Sequence, residues 1–144
     1  MAKLLIVYHS QSGNTEAMAK AISEGANAAG VTVALKKAVD TNDTDLLGCD
    51  VVAIGTPNYF SYMAGMVKDF FDRVWPTVRE KMADKPYVVF GSYGGGGMVA
   101  IETVENICKG LGMKQVCEAV SAQREPTVEN LNECKELGKK LAQI

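Results

Sequence analysis

The stretch His9-Ser10-Gln11-Ser12-Gly13-Asn14-Thr15 concentrates small polar side chains directly after the apolar run Leu4–Tyr8. Helical periodicity begins at Asn14, so these residues lie at a helix N-terminus. Unpaired backbone N–H groups and the helix dipole favour negative charge there. Ser10, Ser12 and Thr15 add hydroxyls, Gln11 and Asn14 carry amides, and Gly13 allows a tight turn. The loop holds no lysine or arginine, so a bound phosphate would rest on neutral donors. Ser, Asn and Thr are also ordinary helix caps, so this loop alone leaves an anion cradle and a plain capped helix start equally open.

Two further segments bear on that choice. Thr56-Pro57-Asn58-Tyr59-Phe60-Ser61-Tyr62-Met63-Ala64-Gly65 places Tyr59, Phe60 and Tyr62 close together. Aromatic faces beside a phosphate site suit stacking on a planar ring system. The alternative is that Phe60 or Tyr62 packs on the following helix. Ser92-Tyr93-Gly94-Gly95-Gly96-Gly97 follows another apolar run. Its glycines permit close backbone approach to something flat, and Tyr93 is placed to stack opposite Tyr59 or Phe60. The three segments together describe one ligand, with a single phosphate at one end and a planar aromatic system at the other. FMN fits that description. The candidate cofactor-binding residues are Ser10, Gln11, Ser12, Gly13, Asn14 and Thr15, then Thr56, Pro57, Asn58, Tyr59 and Phe60, then Ser92, Tyr93, Gly94, Gly95 and Gly96. No catalytic or metal-ligating residue is singled out.

The elements that must position these loops follow from periodicity. Apolar runs at Leu4–Tyr8, Val31–Leu35, Val51–Gly55, Tyr87–Gly91 and Lys114–Ala122 predict five strands. Spacings of three and four predict helices from Asn14 to Ala29, through Met63–Val74, Ile101–Leu111 and Val128–Leu141, with a weaker one at Thr44–Leu47. Strand alternating with helix implies right-handed crossovers and a parallel sheet covered on both faces. Strands one, three and four are continuously apolar, as doubly covered strands are, whereas two and five mix in polar residues and belong at edges. The expected fold is therefore α/β: a three-layer, doubly wound, five-stranded parallel sheet of order 2-1-3-4-5, forming one domain over residues 1–144. In such sheets ligands bind outside the carboxyl ends of the strands, where the order reverses. All three unusual loops fall there.

Several classes are excluded by what the sequence lacks. No GxxxxGK[ST] or GxGxxG follows the first strand, which removes P-loop nucleotidases and the usual dinucleotide site. The first loop has no cysteine, which removes thiol phosphatases of this topology. Strand three ends in Gly55-Thr56 without a phosphorylatable aspartate, which disfavours response-regulator receivers. A formal charge of −2 gives no nucleic-acid footprint. The four cysteines have no metal-ligand spacing, and His9 is the only histidine. Cys108, Cys117 and Cys134 are expected as core thiols, and Cys49 as more exposed. No run is long enough for an export signal or a membrane span, so a cytoplasmic protein with reduced thiols is expected. Asp40, Asp43 and Asp45 form either an acidic docking rim or a plain polar loop.

The run Ile6-Val7-Tyr8-His9-Ser10-Gln11-Ser12-Gly13-Asn14-Thr15, followed by Ala19 and Ile22, resembles the phosphate-loop signature of the flavodoxin family, and the resemblance extends over essentially the whole chain. The fifth strand shows no long interruption, which makes the chain similar to the short-chain type. Flavodoxins usually carry an acidic third loop. Gly91-Ser92-Tyr93-Gly94 is instead more similar to the flavodoxin modules of flavodiiron proteins. Thr56-Pro57 with Met63-Ala64-Gly65 and Lys68-Asp69-Phe70 looks like the quinone-reductase branch of flavodoxin-like proteins. The resemblance implies FMN as cofactor and an electron carrier rather than an enzyme. Such a carrier passes low-potential electrons through the flavin semiquinone and hydroquinone between protein partners, a reductase and an acceptor, as a monomer or weak dimer. The alternative it implies is an NAD(P)H-dependent flavin or quinone reductase. A third possibility is a binding module without redox function, against which the intact first loop argues.

Overall fold

In a computed structural model the protein is described over residues 2–144, so Met1 of the expected 1–144 domain lies outside the described residues. The chain runs β1 (Lys3–Tyr8), α1 (Asn14–Ala28), β2 (Thr32–Lys37), a 3-10 turn (Ala38–Asp40), α2 (Asp43–Gly48), β3 (Val51–Tyr59), β4 (Tyr62–Met63), α3 (Gly65–Val78), β5 (Pro86–Tyr93), α4 (Val99–Gly110), β6 (Lys114–Gln115), β7 (Val120–Gln123) and α5 (Val128–Leu141). The main sheet has the order β2-β1-β3-β5-β6, with β7 also paired to β5 and every one of these pairings parallel. Counting β6 and β7 as one interrupted strand, this is the expected 2-1-3-4-5 sheet.

Alternation along the central strands explains the three layers. Leu4, Ile6 and Tyr8 of β1, with Val88 and Phe90 of β5, face Met18, Ala19, Ile22 and Ala26 of α1 and Cys134, Leu137 and Leu141 of α5. Leu5 and Val7, with Val52, Ile54, Tyr87 and Val89, face Leu46 of α2, Phe70, Phe71 and Val74 of α3, and Ile101 and Val104 of α4. A strand covered on both faces has no solvent side, so both sets of alternating positions are apolar. The edge strand β2 is only partly buried.

Helices α1 and α5 approach unusually closely. An ideal Cβ on Gly25 would lie 2.0 Å from the Lys135 carbonyl oxygen, and one on Gly138 would lie 2.1 Å from that of Ile22. Glycine at both positions lets the two backbones touch, and this seats α1 over the sheet.

Expectations for strand five, for the burial of Cys117 and Cys49 and for Met63 are corrected, and the open choice for the acidic trio is narrowed. Strand five is interrupted: Tyr87 pairs with Gln115 and Phe90 with Val120, so three steps along β5 span five along the edge. The edge strand has no outer neighbour to hold its register, and residues 116–119 leave the ladder although the Val116 N–H still bonds the Tyr87 carbonyl at 3.1 Å. Cys117 lies in that excursion and is only half-buried, whereas Cys49 is buried, its thiol bonded to the Leu46 carbonyl. Strand β3 continues past Gly55 to Tyr59 and turns back into β4, so Met63 belongs to a hairpin and α3 begins only at Gly65. The acidic trio has a local job in part: Asp45 accepts from Lys36 Nζ at 2.9 Å and closes the capping box of α2 with Asn42. Burial alone would raise its pKa, but the bonds from Lys36 and the Asn42 N–H outweigh that and hold the carboxyl below its ordinary range.

Candidate cofactor site

The first loop leaves β1 with the His9 N–H bonded to the Gly55 carbonyl at 3.3 Å. It turns through Gly13, at φ 95°, directly into α1. Among the described residues no side chain caps this helix. The first-turn N–H groups are thus left for something other than a cap, the condition under which a helix start holds an anion. Ser10 Oγ accepts from the Gly13 N–H at 3.1 Å and fixes the turn, while Gln11, Ser12 and Gly13 are exposed. Thr15 is buried, and its hydroxyl pairs with that of Ser92 at 2.8 Å. The start of α1 and the end of β5 are therefore in direct contact.

The second segment is a tight hairpin rather than an open loop. Asn58 pairs with Met63 and Tyr59 with Tyr62. The two turn residues, Phe60 at φ 55° and Ser61 at φ 60°, are both left-handed. Two positive φ angles give the turn geometry whose twist matches a hairpin, but they favour Asn-Gly and strain a phenylalanine. Phe60 does not pack on the following helix; it is fully exposed at 103 %. Thr56 is buried, its hydroxyl donating to the Pro57 carbonyl at 2.8 Å and accepting from the Ala64 N–H at 2.9 Å. Its hydroxyl thus braces the base of the hairpin. Tyr59, half-buried, has His9 edge-on at 6.3 Å between ring centroids and 81° between planes. Burial, then the nearby Lys37 charge, lowers the His9 pKa and keeps its imidazole neutral at pH 7.

The glycine loop is tied to this hairpin. Asn58 Nδ2 donates to the Gly95 carbonyl at 2.8 Å, and a Cβ on Gly96, at φ 82°, would lie 2.4 Å from that same nitrogen. Gln123 Nε2 reaches the Gly94 carbonyl at 3.3 Å. At Gly94 and Gly95 an added Cβ would meet nothing within 4 Å, so that side of the loop is open. Asn58 Oδ1 is buried and finds no hydrogen-bond partner among the described residues. An unsatisfied buried acceptor is costly unless a donor arrives from a ligand or water.

The three loops meet at a cleft of about 240 Å³ lined by Ser12, Asn14, Pro57, Asn58, Tyr59, Ser92, Tyr93, Gly94 and Arg124. Of the sequence candidates, Ser12, Asn14, Pro57, Asn58, Tyr59, Ser92, Tyr93 and Gly94 share its wall. Ser10 and Gly13 shape the loop, Gln11 projects to solvent, Thr15 and Thr56 brace from beneath, Gly95 and Gly96 hold the rim, and Phe60 stands outside. Arg124 was not singled out by sequence. Its one signal is that it is the first cation after the fifth strand, on a fourth loop at the same end of the sheet. In the first turn of α1, Glu16 accepts from the Tyr8 hydroxyl at 2.8 Å. Burial first, then the Glu16 carboxylate, pushes the Tyr8 phenol up to about 12, and the same bond lowers the Glu16 pKa.

The cleft has a donor-rich end at α1, an aromatic and glycine-lined end at Tyr59 and Tyr93, and an orphaned acceptor between them. These features fit a ligand carrying a phosphate, hydroxyl or N–H donors, and a flat ring.

A family model described as flavodoxin matches residues 6–138. The flavodoxin of Megasphaera elsdenii is 34 % identical over 139 residues, covering 95 % of this chain and 96 % of that protein. NAD(P)H dehydrogenase (quinone) 3 of Rhizobium meliloti (strain 1021) is 33 % identical over 139 residues and covers 78 % of this chain, which spans only 65 % of that relative's length. Among solved structures, a flavodoxin from the domain Archaea superposes with a TM-score of 0.87 at 29 % identity, covering 98 % of this chain and 96 % of that one. On a family match extending from the first strand into the last helix, the chain belongs to the flavodoxin family.

Proposed function

We propose that this chain binds FMN in the cleft between the α1 start and the Tyr59 and Tyr93 rings and serves as an electron-transfer protein. It works as one domain in the cytoplasm, exchanging electrons with a protein reductase and a protein acceptor as a monomer or weak dimer. The observation that carries the reading is the convergence of an uncapped helix start, two tyrosine-bearing loops and the unpartnered Asn58 Oδ1 on one cleft. Similarity to the Megasphaera flavodoxin over nearly the full length of both chains supports it.

The backbone N–H groups of the Ser10–Thr15 segment other than that of Gly13, which bonds Ser10 Oγ, hold the phosphate, aided by the hydroxyl of Ser12 and the amide of Asn14. The hydroxyls of Thr15 and Ser92 are already paired with each other, so they position α1 against β5. Pro57, Asn58 and Tyr59 form one wall around the ring system, and Tyr93, Gly94, Gly95 and Gly96 the other. Thr56 and Ser10 keep those walls in place. Bound FMN supplies the electron chemistry, while the protein contributes orientation, exclusion of water and electrostatic tuning.

A second reading, an NAD(P)H-dependent quinone or flavin reductase, is favoured by one observation: the identity to the Rhizobium quinone dehydrogenase. The open Gly94–Gly95 side offers room for a second substrate. An anaerobic reductive titration of the FMN-loaded protein separates the two. A distinct one-electron absorbance signal at half reduction is expected of a carrier. Passage straight to full reduction, with rapid NAD(P)H oxidation in the presence of a quinone, supports the reductase. Failure of the purified chain to bind FMN refutes both.

A further inference from the structure

We propose that Arg124 adds a positive charge to the anion end of the cleft and makes the site select a phosphorylated flavin over its uncharged counterpart. This rests on the FMN reading above and assigns a residue to its phosphate selectivity.

The segment that cradles the anion, His9–Thr15, contains no lysine or arginine. Neutral donors and the helix start can hold a phosphate there, and a cation within reach adds a Coulomb attraction that an uncharged ligand does not feel. The fold brings such a cation in from the opposite edge of the sheet. Ser92 pairs in register with Ala122 and Tyr93 with Gln123, so the chain emerging from β7 runs beside the tip of β5. At Arg124 it turns sharply. The residue sits at φ 57°, a conformation that L side chains avoid, and its N–H anchors to the Tyr93 carbonyl at 2.7 Å. That turn makes Arg124 a wall of the cleft rather than a continuation of the edge strand.

The anion end belongs to the same cleft. Ser92 Oγ lies 2.8 Å from Thr15 Oγ1, so the tip of β5 touches the first turn of α1, and Ser12 and Asn14 line the same cleft as Arg124. The guanidinium is also uncommitted. Arg124 forms no ion pair and no side-chain hydrogen bond among the described residues. It is the only cation among the residues lining the cleft. A planar guanidinium with forked donors matches phosphate better than an ammonium does.

The test compares FMN with riboflavin, which is the same ligand without phosphate. Fluorescence titration of the apoprotein with each flavin is run at low and high salt for the wild type, Arg124→Gln and Arg124→Lys. Arg124→Gln is expected to weaken FMN about tenfold, about 1.4 kcal/mol, and to leave riboflavin affinity within about twofold of the wild type. The salt dependence of FMN binding should shrink with it, because a screened charge contact has been removed. Arg124→Lys should recover part of the FMN affinity. Retained riboflavin binding shows that each variant is folded. Equal weakening of both flavins would place Arg124 on the ring or the ribityl chain and overturn the proposal. Unchanged FMN affinity would overturn it as well. A wild type that binds neither flavin would instead refute the FMN reading itself, and this assignment with it.

Discussion

Replacing Thr56 with valine tests whether a single hydroxyl holds the hairpin that walls the cleft. Thr56 is 1 % exposed, donates to the Pro57 carbonyl at 2.8 Å and accepts from the Ala64 N–H at 2.9 Å. Valine keeps the shape and removes both bonds. The Ala64 N–H, fully buried, is then left unsatisfied. An orphaned buried donor costs about 1–3 kcal/mol, and the lost donation about 0.5–1.5 kcal/mol more. A destabilisation of about 2–3 kcal/mol follows, a fall in Tm of about 6–9 °C for a chain of this size. Thr56→Ser is the discriminating control: it keeps both bonds and loses one buried methyl, about 1 kcal/mol. The expected stability order is wild type, then serine, then valine, whereas hydrophobicity alone would put valine above serine. Urea unfolding at pH 7 measures the order, and FMN titration should weaken more for valine because the hairpin carries Asn58 and Tyr59. A valine variant as stable as the serine variant would refute the reasoning.

Other perturbations bear on different parts of the framework. Gly138→Ala places a Cβ 2.1 Å from the Ile22 carbonyl and 2.7 Å from the Ala26 nitrogen, both backbone atoms that cannot rotate away. Overpacking of about 1–3 kcal/mol, partly offset by the better helix propensity of alanine, should lower the urea midpoint, and a raised midpoint would contradict the close-approach account. The double change Phe60→Asn with Ser61→Gly installs the residues that a turn with two positive φ angles prefers. Because Phe60 is fully exposed and packs on nothing, stability should rise by about 1 kcal/mol, and thermal unfolding showing no gain would argue against strain at this turn. Tyr87→Phe removes a buried hydroxyl without a partner among the described residues, so stability at pH 7 should hold or rise by about 1 kcal/mol. Burial first, then Cys108 and Glu105, pushes the Tyr87 phenol up to about 12. The folded state therefore favours the protonated phenol: its contribution is present below pH 10 and lost as pH rises towards about 12. The phenylalanine variant should lose stability less steeply than wild type across that window, with Tyr8 and the buried thiols of Cys49, Cys108 and Cys134 contributing to the loss that remains.

Much of the architecture is written locally. Continuous apolar runs marked β1, β3 and β5 as doubly covered, because a strand with helices on both faces has no polar side to display. The mixed runs at 31–35 and 114–122 marked the edges for the converse reason. Those patterns yielded the strand order, and the order yielded the end of the sheet where a ligand sits. The polar segment Ser10–Thr15 was legible because a helix start leaves its N–H groups unpaired whatever surrounds it.

What the sequence left open depends on partners distant in the chain. No local pattern indicates that the Thr15 hydroxyl would be taken by Ser92, or that Thr56 would look inward to Ala64, since each bond joins segments that only the assembled sheet brings together. Phe60 and Ser61 gave no turn signal because they are poor residues for the conformation they adopt, and the β3–β4 pairing imposes it on them. The interruption at 116–119 belongs to an edge strand, whose register is fixed from one side only. Gly25 and Gly138 were unremarkable in their helices until the crossing of α1 with α5 put backbone against backbone. Arg124 is the clearest case. Its type and sequence position are those of any surface arginine, and only the register of β7 against β5, with the left-handed turn that follows, carries it into the cleft wall. Periodicity and helix ends are properties of a few consecutive residues, so the sequence determined the layers, the edges and the cradle. Hydroxyl pairing, turn strain and the placement of a lone charge are properties of contacts across the sheet, and the tertiary structure decided them.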